Sequence, residues 1–293
     1  MTADLRATFE RSMTEGQRRL HRSWPELLAT GVVGGIDISI GLMALLAVKA
    51  KTHNELLSSL FFGIGFIALT MANSELFTEN FLVPIAAIVA RRATWVDLLR
   101  LWGATLVMNL VGGWVMVGIV LSALPDVRPG AVELGTHFAR LGVGWTAFAA
   151  AVAGGAVITL MTWMQNSTES MPAKLVAAVV AAFLLGIGPL NHAIVVSLEM
   201  FAGLQVGAHY GYLRWLEVAS WASFGNIVGG VGLVTVLRLI QVGRANVQES
   251  ARTPHKDDKG NEADKAKVDQ ENGAKKRAER SEAKKRGDGT TSG

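Results

Sequence analysis

The sequence predicts an all-α membrane protein made of two inverted repeats of three spans, and three observations support this fold class. Hydrophobic residues make up 50% of the 293 residues, and their runs are long enough to cross a bilayer. Two of these runs, at about 56–90 and 173–206, are interrupted by polar residues. The run Asn-Leu-Val-Gly-Gly at 109–113 recurs 117 residues later as Asn-Ile-Val-Gly-Gly at 226–230, which indicates a duplicated unit.

The other apolar runs predict four unbroken spans. They lie at about 26–48, 99–124, 141–164 and 218–240. Each repeat then holds three spans, an odd number, so the two halves must be inverted about an axis in the membrane plane. The pair Gly34-Gly35 in the first span is echoed by Gly154-Gly155, at an offset of 120. Such small residues let transmembrane helices approach closely.

The two interruptions are the most informative feature of the chain. The first, at 72–84, contains two carboxylates, a Thr and two Asn, and the second contains Asn191-His192. Irregular backbone at membrane depth must be buried in protein or line a water-filled path. Paired broken spans in matching positions of two halves therefore point to a transport site. This predicts that spans 2 and 5 are broken helices.

Three regions are predicted along the chain. Residues 1–24 form a basic, amphipathic arm at a cytoplasmic membrane surface, because Leu5, Phe9 and Met13 share one helical face. Residues 25–242 form the six-span transporter domain. Residues 243–293 carry dense mixed charge and few large apolar residues, which predicts a disordered cytoplasmic tail. The distribution of Arg residues places both termini in the cytoplasm, with the domain in the inner membrane.

Several function classes are disfavoured. The chain has no Cys, no His/Cys/Asp cluster at metal-ligand spacing, no phosphate-binding Gly-rich loop and no Gly-x-Ser-x-Gly turn. We therefore expect neither an enzyme, nor a metal, nor a cofactor. The high isoelectric point comes largely from residues 251–293, which hold 12 Lys and Arg against 9 Asp and Glu. A nucleic-acid partner is not expected, and the lipid bilayer is.

The residues with the strongest claim to a pore are His192, Thr78 and Asn191. His192 follows a segment that cannot easily stay helical, and histidine exchanges protons near neutral pH. Thr78 can offer a hydroxyl to an anion or to His192, or it can cap a half-helix that begins near Asn80. The alternative for His192 is a purely structural hydrogen bond in a packed bundle. Half-helix N-termini near Asn80 and Ala193 would favour an anion.

Other polar residues have structural interpretations. Glu75 is predicted to accept hydrogen bonds from backbone N–H groups and so to hold the loop, while Glu79 faces the cytoplasmic mouth. Asn80, Asn109 and Asn226 are predicted to structure the loops as well. Asp37 lies inside the first span, where a carboxylate is functional by default, or pairs with a neighbouring helix or subunit. Glu199 in the second half-helix could serve the same interface.

Three motifs together resemble those of the formate/nitrite transporter family of aquaporin-like anion channels. They are Glu-Leu-Phe-Thr at 75–78, Asn-His-Ala-Ile at 191–194 and Gly-Asn-Ile-Val-Gly-Gly at 225–230. The resemblance covers about residues 25–242. Gly155 stands where the family usually has Asn, and Asn191 where it has an acidic residue, so the chain resembles a divergent branch.

The resemblance implies a homopentamer with one pore in each protomer, and an arm used for gating or subunit contact. It also implies a Thr and a His between two apolar constrictions, here Thr78 and His192. The candidate constriction residues are Phe62, Phe66, Leu76, Phe77 and Leu185.

The predicted function is movement of a small monovalent anion, passive or proton-linked through His192. Two alternatives remain open from the sequence. One is a neutral-solute pore in which His192 is structural, and the other is a non-conducting membrane scaffold that acts through its charged tail.

Overall fold

A computed structural model describes residues 3–188 and 190–243, and this part of the chain is helical. The helices are α1 (Ala3–Leu20), α2 (Trp24–Thr52), α3 (Glu55–Ala72), α4 (Val83–Val89), α5 (Trp95–Ala123), α6 (Arg128–Leu141), α7 (Trp145–Asn166), α8 (Met171–Ile187), α9 (Ala193–Gln205), α10 (Tyr212–Ile227) and α11 (Val236–Val242). Short 3-10 helices cover Phe77–Phe81 and Pro125–Val127, and a π-helix covers Val228–Thr235. Except for Gly243, the predicted tail lies outside the described residues.

Within the described residues, five helical segments are long and apolar enough to cross a membrane. They are α2, α3, α5, α7 and the continuous segment Tyr212–Val242, which joins α10, the π-helix and α11. The segments Phe77–Val89, α8 and α9 are apolar but shorter. The predicted count of six spans is reached by taking α3 with α4, and α8 with α9, as two broken spans.

The two halves are inverted, as their odd number of spans requires. Helix α1 packs on α4 at the end of the bundle where α2 begins, and α6 packs on α9 at the end where α2 finishes. Lys49 near the end of α2 contacts Glu133 of α6, with 3.0 Å between Nζ and Oε1. At the opposite end, Arg11 of α1 donates to the carbonyl of Asn166, the last residue of α7, at 2.7 Å. Helix α2 therefore runs from α1 towards α6, and α7 runs back.

Glycines allow close helix contacts at matching places in the two halves. A Cβ at Gly35 would overlap the backbone carbonyl oxygen of Asn109, so α2 and α5 are in backbone contact there. A Cβ at Gly155 would overlap the backbone of Asn226 in the same way, which brings α7 against α10. The two glycines are therefore structural equivalents, at the offset of 120 read from the sequence.

Helix α1 lies against the protein rather than on a bilayer surface. Its apolar stripe is buried, with Phe9 and Met13 packed among Leu82, Val83 and Trp163. The sequence predicts the amphipathic stripe, and the stripe packs on α4 and on the C-terminal end of α7. This contact brings the basic end of α1 next to the first interrupted segment.

Helix α6 lies between two predicted spans and is not itself predicted by the sequence analysis. Its buried residues Ala131, Gly135 and Phe138 form a stripe that faces the second half-helix, α9. Because α6 covers α9 as α1 covers α4, the pseudo-symmetry extends beyond the membrane spans. The covering helices leave both half-helices enclosed by protein.

Candidate transport site

The two interrupted segments meet at Thr78 and His192. Thr78 lies in the 3-10 helix Phe77–Phe81, and His192 is the residue that caps the N-terminus of α9. Thr78 Oγ1 and His192 Nε2 are 2.6 Å apart, and both side chains are completely buried. The structure thus brings together the two polar residues singled out from the sequence, although they are 114 positions apart.

The hydrogen bonds of His192 define which ring nitrogen carries the proton. The backbone N–H of Val195 donates to Nδ1 at 3.4 Å, so Nδ1 is an acceptor and the neutral ring has its proton on Nε2. Nε2–H then donates to the oxygen of Thr78. Thr78 is left with its own O–H, which can donate to a further acceptor. The tautomer follows from this network.

The polar pair belongs to a closely packed apolar interior. The five candidate constriction residues are all buried and share one hydrophobic cluster: Phe62, Phe66, Leu76, Phe77 and Leu185. Phe62 and Phe66 make an edge-to-face contact with ring centroids 5.7 Å apart, and Phe77 and Phe81 do so at 5.0 Å. Their burial fits the predicted constrictions, whose role in conduction stays a prediction.

Asn109 fastens the first interrupted segment to α2 and α5. Its Oδ1 accepts from the backbone N–H of Phe77 at 2.9 Å. Its Nδ2 donates to the carbonyls of Gly31 and Glu75, each at 2.8 Å. One fully buried amide therefore satisfies both a donor and an acceptor of backbone that has left its helix.

Asn226 repeats this arrangement in the second half. Its Oδ1 accepts from Ala193 N–H at 2.8 Å, and its Nδ2 donates to the carbonyls of Ala151 and Asn191 at 2.7 and 2.9 Å. The carbonyls of Glu75 and Asn191 therefore occupy equivalent places, 116 residues apart. The structural counterpart of Glu75 is therefore Asn191. The offset of 117 that relates Asn109 to Asn226 would instead pair Glu75 with His192, the next residue.

Asn191 itself sits directly beside the polar pair. Its Nδ2 donates to the carbonyl of Ala147 at 3.2 Å, while its Oδ1 is buried without a hydrogen-bond partner. This oxygen is a polar acceptor next to His192 in an otherwise apolar region.

Glu75 is held in a different way from the one predicted. Its buried carboxylate contacts two arginines at the end of the arm, with Oε1 3.2 Å from Arg19 Nε and 2.6 Å from Arg22 Nη1. The carboxylate that accepts a loop backbone N–H is that of Glu79, which receives Leu76 N–H at 3.1 Å. Glu79 is also buried rather than placed at a mouth.

The same arginines connect the arm to the rest of the loop. Arg19 Nη1 donates to Asn80 Oδ1 at 3.1 Å, and Asn80 Nδ2 donates to the carbonyl of Leu76 at 3.3 Å. Arg19 also contacts Glu15 at 2.7 Å. Burial raises the pKa of Glu15, but Arg19 and Arg18 outweigh this effect and lower it to about 2. Glu15 is therefore ionised at neutral pH, and Arg19, with which it pairs, ties α1 to the first interrupted segment through Asn80.

Asp37 also contacts the first interrupted segment. Ser74 Oγ donates to Asp37 Oδ2 at 2.5 Å, and both residues are buried. The sequence left open whether Asp37 is functional or pairs with a neighbouring helix or subunit, and the structure shows that it binds Ser74 of the same chain.

The two half-helices differ in what their N-termini offer. Helix α9 begins at Ala193, as the sequence predicts, but the N–H groups of Ala193 and Val195 are already bound by Asn226 and His192. Helix α4 begins only at Val83, after the 3-10 helix, and Pro84 gives it no N–H at that position. The predicted pair of anion-attracting helix ends is therefore reduced to the dipole of α9.

Sequence reasoning missed the partners that hold the first segment. Arg19 and Arg22 contact the carboxylate of Glu75. Trp102 Nε1 donates to the carbonyl of Asn80 at 2.9 Å, and the hydroxyl of Thr235 donates to the carbonyl of Phe81 at 2.7 Å. A usable signal existed for the arginines, since a buried carboxylate at membrane depth requires a cation. Among the described residues, no group of three or more His, Asp or Glu side chains could hold a metal.

Comparison with known proteins agrees with this geometry. A model of the formate/nitrite transporter family matches residues 6–240. The chain is 26% identical over 250 residues to the inner membrane protein YfdC of Escherichia coli (strain K12), covering 80% of this chain and 78% of the relative. It is 23% identical over 248 residues to the formate channel BtFdhC of Bacillus thuringiensis, covering 75% and 88%.

Solved structures show the same fold. One described as a pentameric formate channel with formate bound superposes with a TM-score of 0.61 at 20% identity, covering 72% of this chain and 94% of that one. An FNT family ion channel superposes with a TM-score of 0.67 at 18% identity, covering 78% and 96%. The predicted fold class is thereby confirmed. Since the family model spans most of the sequence, the chain belongs to the formate/nitrite transporter family, whose members are channels and transporters rather than enzymes.

Proposed function

We propose that this protein conducts a small monovalent anion together with a proton, and that crossing takes place at the Thr78–His192 pair. The observation that carries the proposal is the 2.6 Å hydrogen bond between these residues, where the two interrupted segments meet inside an apolar core. Thr78 offers a hydroxyl donor, and the adjacent His192 is a group that can exchange protons.

The apolar surroundings favour crossing as the neutral acid. A bare anion surrounded by Phe and Leu side chains loses its hydration at a cost of several kcal/mol or more. In the described part of the chain, the guanidinium groups nearest to the first segment, Arg19 and Arg22, are already paired with Glu75. Protonation removes most of this cost, because the anion then crosses as a small neutral molecule.

The hydrogen bonds restrict how His192 can relay a proton. Nε2 already carries a proton, so an incoming proton must arrive at Nδ1 and displace the Val195 N–H. The imidazolium can then pass its Nε2 proton to the oxygen of Thr78 while Thr78 passes its own O–H proton to the anion. The ring ends neutral with its proton on Nδ1, Thr78 is unchanged, and the anion has become the acid. Before the next cycle the ring must lose the Nδ1 proton and regain one on Nε2 by exchange with solvent, which restores the bond from Val195 N–H. The other source of the proton is solvent, with Thr78 acting only as a donor.

The choice of substrates to test comes from the relatives. One relative is named a formate channel, and a structural neighbour holds formate. The experiment is uptake of formate, nitrite, acetate, lactate and hydrosulfide into proteoliposomes, driven by an inward pH step, with an ionophore that collapses the step as the control. Uptake of one of these that follows the pH step is the expected result. Uptake that ignores the pH step would contradict proton coupling.

We propose the assembly and location on similar grounds. A structural neighbour is described as pentameric and a relative as an inner membrane protein, which supports a homopentamer in the inner membrane. The chain also exposes large apolar side chains along α5, which lipid or neighbouring copies must cover: Val107, Val111, Trp114, Val115 and Ile119. Native mass spectrometry tests the stoichiometry. Protease treatment of sealed inside-out vesicles should cut residues 244–293 if the C-terminus is cytoplasmic.

The two alternatives lead to different results in the same assays. A neutral-solute pore would change the osmotic response of liposomes while no anion uptake follows pH. A non-conducting scaffold would give neither response, and removal of residues 244–293 would abolish its function. A transporter is expected to keep its flux when this tail is removed.

A further inference from the structure

Glu199 lies on the second half-helix, two turns beyond His192. Seven positions separate the two residues, which places them on the same side of α9. Val195 lies between them on that side. Glu199 and Val195 retain 6% and 5% of their accessible surface, whereas Ile194 and Val196, which flank Val195, retain none. In the first two turns of α9, residues 193–199, the slight access that remains is therefore on the side that carries Val195 and Glu199.

Glu199 has no partner that balances its charge. Its Oε2 is buried without a hydrogen-bond partner, and within the described residues no cation lies within salt-bridge distance of its carboxyl group. Lys49 is the cation whose charge acts on it. The Lys49 ammonium, however, contacts Glu133 at 3.0 Å and Glu55 at 4.0 Å. Lys49 is thus engaged at the end of the bundle opposite α1.

The other elements packed on α9 bring no compensating charge to Glu199. Tyr210 donates to the carbonyl of Met200 at 2.7 Å, and burial raises the pKa of the Tyr210 hydroxyl. The charged residues of α5 within its described length, Asp97 and Arg100, lie in its first two turns at the other end of the bundle. The remaining titratable groups on α6 and α10 are exposed or paired at the surface: Arg128, His137, Arg140, Tyr212, Arg214 and Glu217.

We propose that Glu199 is a proton-exchange site in the half of the path opposite α1. A buried carboxyl group without a counter-ion is stable only with a proton bound. Glu199 as the acid transfers its O–H proton to an arriving anion. The anion becomes the neutral acid, and Glu199 is left as a carboxylate. The carboxylate then regains a proton from water at the mouth. This inference rests on the proposed function and adds a second proton-exchange group, on the same helix as His192.

The test compares Glu199→Gln with wild-type protein in proteoliposomes over a series of external pH values. Glutamine keeps the shape but cannot exchange a proton, so the part of uptake driven by the pH step should fall by roughly 10²-fold. Glu199→Asp keeps the carboxyl group and should keep the pH dependence at a reduced rate. Glu217→Gln, the same substitution on the exposed surface of α10, is the matched control and should behave as wild type.

A second measurement separates this inference from the proposed function. Infrared spectroscopy of the wild-type protein should show a carboxylic-acid band that responds to external pH and is absent from Glu199→Gln. An unchanged pH profile of uptake in Glu199→Gln overturns the inference. No uptake by wild-type protein overturns the proposed function instead, and the infrared band still decides whether Glu199 exchanges protons. Absence of that band overturns the inference in either case.

Discussion

Replacing Asn109 by leucine should strongly destabilise the protein, because one buried amide holds the first interrupted segment. The substitution removes three hydrogen bonds, to Phe77 N–H and to the carbonyls of Gly31 and Glu75. The Gly31 carbonyl keeps its helical partner within α2. The Phe77 N–H and the Glu75 carbonyl lose a buried partner, and each such group costs about 1–3 kcal/mol. The expected loss is therefore about 2–6 kcal/mol.

The measurement is thermal unfolding in mild detergent, followed by the fluorescence of the 8 Trp residues at a fixed scan rate. A loss of this size should lower the midpoint by at least about 4 °C. Asn226→Leu should lower it by a similar amount, since Asn226 makes the same three kinds of bond. Asn166→Leu is the control, because its amide donates to a helical carbonyl that keeps its own partner. A midpoint for Asn109→Leu within 1 °C of wild type would refute the reasoning.

Two further predictions concern helix contact and pH. Gly35→Ala should lower the free energy of unfolding by about 1–3 kcal/mol, because the new Cβ meets the Asn109 carbonyl. Gly103→Ala is the control, since the space around Gly103 is open, and it should be neutral or stabilising. Equal unfolding midpoints for the two variants would contradict this prediction. Glu15 has a pKa of about 2 against an ordinary 4.5, so its stabilising contribution is complete above pH 4.5 and is lost as pH falls towards 2. The midpoint difference between wild type and Glu15→Gln should shrink over that interval, and a constant difference would argue against the pairing with Arg19.

The fold could be predicted because the membrane imposes simple rules on the sequence. Apolar runs of spanning length, two interruptions and one recurring five-residue run were enough to give an inverted duplication. The exact register could not be obtained this way, since the equivalences run at offsets of 120 for Gly35 and Gly155, 116 for Glu75 and Asn191, and 117 for Asn109 and Asn226. Small insertions between spans shift the offset without disturbing the symmetry.

The site could be predicted only in part, because its partners are distant in sequence. Thr78 and His192 stood out as polar residues at the two interruptions, and the structure brings them into contact. The partner of Glu75 was missed because Arg22 lies 53 positions away, in the connection between α1 and α2, outside any local pattern. Helix α6 was missed because two of its three buried residues, Ala131 and Gly135, are small, and its Pro129 resembles a loop residue.

The measurement that tests the central claim most directly is pH-driven anion uptake by His192→Phe in proteoliposomes. His137→Phe, the same substitution at an exposed position of α6, is the matched control. If the anion crosses with a proton at the Thr78–His192 pair, His192→Phe loses the uptake that follows the pH step and His137→Phe keeps it. Unchanged pH-dependent uptake by folded His192→Phe protein would contradict the proton relay.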